Sequence, residues 1–302
     1  MVYKSSDLAI IIPSKNHQNI NICLNSIKNQ TKKPGQTIFI FNNKTNFKSN
    51  KKFIFAYTNI SNQVYQRNFG LKLMNKKIKL ILQLDDKFYL HKRAVQNLIK
   101  EWNATDKDVA GIGIESNLVY QKVNKLRFLK YVTLTGSDVP GKVLKSGFSN
   151  KLISKSDLKN VDWLQGGLSS WRLKHVPIIF NRKYPLVKWS ILEDLIFSYH
   201  IKFKKKYRLQ FNKGIKAYFI RDKDFNYNFK ELFYRGYEYA RMHKVFVYKY
   251  KETLSKIAFY YSYISSSIFG FSWNLFILNK KLFFYLGRLK GIFANIREIR
   301  VL

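Results

Sequence analysis

Cysteine is nearly absent from this 302-residue chain, with Cys23 standing alone. That excludes a disulfide framework and a cysteine-based metal site. Ile20, Leu24 and Ile27 surround it at helical spacing, so it reads as a small core residue. Histidine is also scarce: His17, His91, His175, His200 and His243 are the whole set. None lies four residues from another, so the zinc-binding helix pattern is excluded. His243, in the segment Tyr239–Lys244, reads as ordinary helix packing. Acids are the third shortage. Eighteen Asp plus Glu face 55 Lys plus Arg, a net charge of +37. Such a balance favours an anionic partner: nucleic acid, anionic lipid headgroups or a phosphorylated substrate. A coding bias that raises Lys, Asn, Ile, Phe and Tyr together accounts for part of it, but less well for the missing acids. No internal repeat or long low-complexity segment is present. No signal-peptide pattern precedes the first apolar strand, so the sequence predicts a cytoplasmic catalytic part.

What is present is core-forming material. With 46% hydrophobic and 17% aromatic residues, the chain can bury a large interior, and disorder is not the default. Its length suits an α/β domain with an appendage, or two domains. Apolar runs at Leu8–Ile12, Thr37–Phe41, Phe53–Tyr57, 78–84 and Val109–Ile114 read as strands. Helical patterns fall between them: one through Ile20, Cys23 and Ile27, one from Val64 to Met74, and one through Ala94, Leu98 and Trp102. The alternation predicts βαβ units and a largely parallel sheet. Residues 115–160 give only irregular connections with one or two strands. A helix is expected from Ser190 to Lys202, and short strands at Tyr207–Gln210 and Ala217–Ile220. Phe233–Tyr250 is helical, aromatic and basic. Residues 257–278 carry no charge at all. Their serines and Asn274 are polar for a spanning helix, and Lys280-Lys281 follows. An interfacial helix on anionic lipid fits best, with a membrane span and plain bundle packing as alternatives.

Three pairs of residues draw attention to chemistry. The strand at Leu80–Leu84 ends in Asp85-Asp86. In a chain short of acids, adjacent carboxylates at a strand tip call for a positive partner, and a divalent cation with oxygen ligands is the obvious one; a solvated turn is the bland alternative. Gly166-Gly167, between Trp163 and Trp171, permits a close backbone approach or a tight turn. Glu193-Asp194 opens a helix, where acids also complement the helix dipole.

Taken in order, these pieces resemble the family 2 glycosyltransferases. The matching segments are Ile10-Ile-Ile-Pro-Ser-Lys-Asn16, Ile38-Phe-Ile-Phe-Asn-Asn43, Gln66-Arg-Asn-Phe-Gly70, Leu84-Asp-Asp-Lys87, Gly166-Gly167 and Leu192-Glu-Asp-Leu195. They cover about residues 8–222. The resemblance implies a GT-A fold: a Rossmann-like, mostly parallel sheet flanked by helices, with a helical basic and aromatic C-terminal extension. It implies a catalytic domain over 1–228, with a nucleotide-binding half (1–115) and an acceptor half (116–228); beyond it, the basic and aromatic residues 229–302 read as a helical membrane-associating region. It further implies an inverting transfer from a nucleotide-sugar (UDP-, dTDP- or GDP-sugar) to a hydroxyl of a glycan or lipid-linked acceptor, in bacterial cell-surface polysaccharide synthesis. The place would be the inner face of the membrane, peripherally, on an anionic lipid surface.

Residue by residue, the resemblance makes Asp194 the general base, with Glu193 positioning the acceptor or supporting Asp194. Pro13, Asn16, Asn43, Arg67, Asp85 and Asp86 would hold the donor, with Arg67 touching a phosphate or bracing the loop. Trp163, Gly166 and Gly167 would face the acceptor. Asp85 and Asp86 would hold Mg²⁺ or Mn²⁺. The chain departs from the family pattern at three places. Asn42-Asn43 replaces an acid pair, Lys87 stands where a third Asp is common, and Arg221 occupies the place of a metal-binding His, with Asp222 beside it as a substitute ligand. A catalytically impaired binding protein of the same fold at a membrane, and a basic nucleic-acid-binding protein, are the alternatives. No recognised nucleic-acid motif appears, and the positive charge is spread along the chain.

Overall fold

Strand β1, Leu8–Ser14, is buried along its whole length, as is β2, Gln36–Phe41. Their side chains alternate between two cores. Ile11, Ile38, Ile40 and Ile81 face one; Ile10, Ile12, Phe39, Leu80 and Leu82 face the other. A strand buried on both faces reads as a continuous apolar run, which is why these strands stand out in the sequence. The computed structural model describes residues 2–14, 20–44, 46–116, 127–153, 156–176, 190–220 and 227–296. The remaining elements are α1 (Ile20–Lys28), β3 (Phe53–Tyr57), α2 (Gln63–Lys72), β4 (Leu80–Leu84), β5 (Phe88–Leu90), α3 (Ala94–Ala104), β6 (Val109–Ser116), α4 (Arg127–Val132), β7 (Leu168–Arg172), α5 (Glu193–Tyr199), β8 (Arg208–Phe219), α6 (Phe229–Lys249), α7 (Lys256–Phe276) and α8 (Leu282–Ile292).

The strands form one eight-stranded sheet in the order β3-β2-β1-β4-β7-β6-β8-β5. The half from β3 to β4 is parallel throughout. Strand β7 then inserts antiparallel to both β4 and β6. Helices cover both faces, so the expected α/β class and architecture are present.

Four elements differ from the sequence reading. Tyr207–Gln210 and Ala217–Ile220 belong to one twelve-residue strand, β8. Lys213 and Gly214 interrupt its apolar pattern, and its pairing with β6 shifts register between Ile114 and Glu115. Strand β7 was not expected, because Ser169 and Ser170 broke the apolar pattern. Both serines are fully buried. Ser170 Oγ donates to the Ile81 carbonyl at 2.8 Å and accepts from Trp102 Nε1 at 2.9 Å, and a polar group inside a core is tolerated when it is bonded. Helix α4 lies in the stretch 115–160, which gave no helical signal. The helix expected from Ser190 starts at Glu193 and passes into a π-helical turn, His200–Lys204.

The C-terminal helices begin at clear caps. Asn228 and Glu231 form a capping box on α6, and Ser255 Oγ accepts the Ala258 N–H of α7 at 3.2 Å. Such caps satisfy first-turn N–H groups. Phe246 of α6 and Phe259 and Tyr263 of α7 share one buried cluster with Ile81 of the sheet. No helix among the described residues is long and apolar enough to cross a membrane. Helices α6 and α8 pack backbone to backbone. A Cβ on Gly287 would run into the Phe233 carbonyl, and one on Gly236 into that of Phe284. Gly287→Ala is therefore expected to lower the unfolding free energy by roughly 1–3 kcal/mol, the usual cost of overpacking. It does so although alanine is favoured by about 1 kcal/mol in an open helix. Urea unfolding measures this directly; an unchanged or raised midpoint would contradict the packing.

Candidate active site

Strand β1 has β2 on one side and β4 on the other, so the chain leaves it in opposite directions. Open α/β sheets bind ligands outside the strand ends at such a switch point. Ser14 ends β1 and Asp85-Asp86 follows β4, which puts them together at that point. Ser14 Oγ donates to Asp86 Oδ2 at 2.5 Å. On the other side of β4, the Asp85 N–H donates to the Gly167 carbonyl at 3.0 Å. A Cβ on Gly167 would overlap the Asp85 carboxylate, so glycine at this position is a matter of space.

Arg67 joins the two acid pairs. It lies on α2 and is fully buried. Its Nη2 sits 3.1 Å from Asp85 Oδ1 and its Nη1 3.0 Å from Glu193 Oε1. One helical turn earlier, Gln63 Nε2 donates to the same Asp85 oxygen at 2.5 Å. Gln66 Nε2 reaches the Ile40 carbonyl at 3.2 Å, fastening α2 across the ends of the parallel strands. Arg67 thus lies between Asp85 and Glu193. A buried guanidinium with two carboxylate partners fixes the distance between them.

Helix α5 presents the second pair. Leu192, just before it, adopts a left-handed conformation with φ of 60°, which costs a non-glycine residue roughly 1–3 kcal/mol. That turn directs the first residues of α5 back toward Arg67. Asp194 Oδ2 accepts the Gly166 N–H at 3.2 Å, and Oδ1 accepts the Leu195 N–H at 2.8 Å. Burial raises the pKa of both carboxyl groups, and the charge of Asp194 raises that of Glu193 further, against the pull of Arg67. The backbone donors on Asp194 oppose its rise. Hydrogen bonds to the charged form favour ionisation, so the Gly166 and Leu195 donors work against the burial of Asp194 as Arg67 works against that of Glu193.

Beside these groups lies a cleft of about 420 Å³, whose lining includes Asp85 and Asp86 but not Arg67, Glu193 or Asp194. Pro13, Gln63, Gln66, Asp85, Asp86 and Lys87 line the sheet side; Ser190, Ile191, Leu192, Arg235 and Tyr239 line the other. Ser14, Gln63, Arg235 and Tyr239 were not singled out in the sequence. Gln63 had a usable signal, lying one turn before Arg67. Arg235 and Tyr239 are spaced i, i+4 on α6, and nothing local ties them to the strand tips. Arg235 rests on the Tyr227 ring at 4.9 Å.

The other expected residues are placed as follows. Asn43 is exposed at the end of β2 and does not line this cleft. Its neighbour Asn42 holds a buried side-chain oxygen with no hydrogen-bond partner. Trp163 donates through Nε1 to the Asn150 carbonyl at 2.8 Å and packs against the core. Asn16, Arg221 and Asp222 lie outside the described residues. His243 is fully buried, with Nδ1 2.8 Å from the Tyr263 hydroxyl. Burial pushes its pKa down to about 3, which matches a neutral packing residue.

Among the described residues no group of three or more His, Cys, Asp or Glu side chains can hold a metal. Asp85 Oδ1 is already committed to Arg67 and Gln63. Two adjacent carboxylates still fit a Mg²⁺ or Mn²⁺ that takes one or two protein ligands and completes its shell with substrate phosphate and water.

No family model matches the chain, and no curated protein does. Solved structures do. A mannosyltransferase from Pyrobaculum calidifontis, PcManGT, in complex with GDP-Man and Mn²⁺, aligns over 97% of this chain and 90% of its own, with a TM-score of 0.57 and 11% identity. S. aureus TarS 1-349 in complex with UDP-GlcNAc aligns over 97% and 81%, with a TM-score of 0.54 and 17% identity. In another alignment with TarS 1-349 the chain spans 65% of that protein, with a TM-score of 0.48. At these identities the likeness is one of fold: the eight-stranded sheet and its helices share the architecture of PcManGT and TarS 1-349.

Proposed function

We propose that the chain is a glycosyltransferase that moves a sugar from a nucleotide-sugar to a hydroxyl of a glycan or lipid-linked acceptor, with inversion. The observation that carries this is the Arg67 bridge. One buried cation ties Asp85, in the cleft wall at the switch point, to Glu193 of the acid pair on α5, so two carboxylate groups with different tasks are held side by side. In such a reaction the acceptor O–H loses its proton as its oxygen bonds to the anomeric carbon. The bond from that carbon to the diphosphate breaks, and its electron pair leaves with the phosphate oxygen.

Asp194 takes the proton. Its two backbone bonds fix its orientation and favour its ionised form. Glu193 holds the acceptor or steadies Asp194. Lys87 and Arg235, on opposite walls of the cleft, face the growing negative charge of the leaving diphosphate. Asp85 and Asp86 would hold a divalent cation, which supplies further charge stabilisation to that group. Gly167 leaves room for the Asp85 carboxylate. PcManGT binds GDP-Man with Mn²⁺ and TarS 1-349 binds UDP-GlcNAc, which supports a nucleotide-sugar as donor here.

The test is a donor screen. UDP-, GDP- and dTDP-sugars are added to the purified chain with and without Mn²⁺ or Mg²⁺, and both melting temperature and nucleotide release are read. A matching donor at about 100 times its Kd stabilises the fold by about 2.7 kcal/mol, several degrees for a protein of this size. No stabilisation and no release with any donor would overturn the proposal.

A further inference from the structure

Helix α7 is built inside out. Its buried positions include Ser262, Ser267 and Asn274. Its exposed positions are Ile257, Tyr261, Ile264, Ile268, Trp273 and Phe276. Residues 257, 261, 264 and 268 follow the i, i+4, i+7, i+11 spacing of a single helix face. Most of the buried polar groups are bonded internally: Ser262 Oγ bonds the Leu134 carbonyl, Ser266 Oγ accepts from Arg288, and Asn274 bonds back to Gly270, while the buried Ser267 hydroxyl has no partner among the described residues. The stripe continues past the helix in Leu278, which is 88% exposed, and onto α4, where Phe128 is 75% exposed. Tyr261 ties the two helices together by donating to the Val132 carbonyl at 2.9 Å. An apolar cavity of about 620 Å³ opens between them, with Leu129, Phe269 and Trp273 in its wall. Scattered exposed apolar residues are normal on a protein surface, but a contiguous face of this kind marks an interaction site.

We infer that the α4–α7 face docks flat on an anionic lipid bilayer. Charge selects this occupant. The stripe itself carries no charged residue, while Lys256 precedes it, Lys280 and Lys281 follow it, and Lys130 sits on α4, in a chain with a net charge of +37. An apolar face with tryptophan and tyrosine and lysines at its margins suits the headgroup boundary. α7 is not apolar enough to cross, so it lies in the plane. The inference is independent of the chemistry in the cleft.

Vesicle sedimentation tests it, using the full chain with phosphatidylcholine vesicles and with vesicles that also contain phosphatidylglycerol. The protein is expected to pellet with the anionic vesicles, less so as salt is raised. The double variant Ile268→Asp, Phe276→Asp should bind about tenfold or more weakly. Both side chains face solvent, so its melting temperature should match wild type, as should its nucleotide-sugar binding. A second variant, Lys280→Glu with Lys281→Glu, should lose mainly the salt-sensitive part. Wild-type protein that stays in the supernatant with anionic vesicles overturns the inference. So does an Asp variant that pellets like wild type. Light scattering that shows a dimer dissolved by the Asp variant, without vesicle binding, overturns it in favour of a second copy of this chain.

Discussion

Asp194→Asn is expected to slow sugar transfer by about 10²–10⁴-fold, the usual contribution of a positioned general base, while donor affinity stays as it is. An asparagine oxygen can still accept the N–H of Gly166 or Leu195, so α5 keeps its place. What is lost is the proton acceptor. The same assignment fixes the pH profile. Asp194 acts only when ionised, and burial holds its pKa above the ordinary 3.8. Activity should therefore fall on acidification through a pKa above the normal aspartate range. Glu193→Gln gives the complementary result. Glutamine can still accept from Arg67, so the variant keeps more activity than Asp194→Asn. Coupled transfer kinetics with the donor found in the screen decide between them. An Asp194→Asn enzyme that transfers at the wild-type rate removes Asp194 from the role.

Arg67→Met is expected to have the largest effect on stability. It leaves the carboxyl groups of Asp85 and Glu193 without their cation. Stranding one partner of a buried ion pair costs about 3–5 kcal/mol. The two acids do not share this equally. The Asp85 side chain is 30% exposed and regains water, and Glu193, 9% exposed, takes up a proton rather than standing charged, so the loss should fall near the lower end. With roughly 2–4 °C per kcal/mol for a chain of this size, the melting temperature should drop on the order of 10 °C.

The sign of the pH dependence follows from Glu193. Its folded pKa is raised from 4.5 to about 8 even with Arg67 present. The native state thus holds a proton that the unfolded chain releases. That contribution to stability is complete below pH 4.5 and is lost as pH rises toward 8. Without Arg67 the raised pKa moves higher, so the variant should be least stable at alkaline pH. Adding Glu193→Gln to Arg67→Met should restore part of the loss, as coupled neighbours do. A melting temperature within a degree of wild type, or no rescue by the second substitution, would show that the bridge carries little energy.

How far the sequence reached depends on which interactions are local. Strands β1, β2, β3, β4 and β6 were legible because each is an apolar run bounded by turn residues or by helices of a different period. The acid pairs were legible because charge of that sign is rare in this chain. Strand β7 was hidden, since its serines break the apolar pattern and Ser170 is satisfied by Ile81 and Trp102, partners far away in the sequence. The cleft wall from Arg235 and Tyr239 was hidden for the same reason: α6 meets the strand tips only after the whole sheet has formed.

Arg67 shows the division most plainly. Composition and motif order made it a donor-site residue on a helix beside the first strands, with two open roles. They could not say that it lies under the cleft with Asp85 on one side and Glu193, 126 residues further on, on the other. The sequence by itself determined the alternation of strands and helices, the two acid pairs, the lack of cysteine chemistry and the uncharged stretch 257–278, because these depend on residue type and spacing along the chain. Only the tertiary structure decided which acid faces which cation, and that α7 turns Ser262 and Ser267 inward beside Phe259 and Tyr263 while Ile268, Trp273 and Phe276 face outward. Burial and pairing are set by what packs against a residue from elsewhere in the fold.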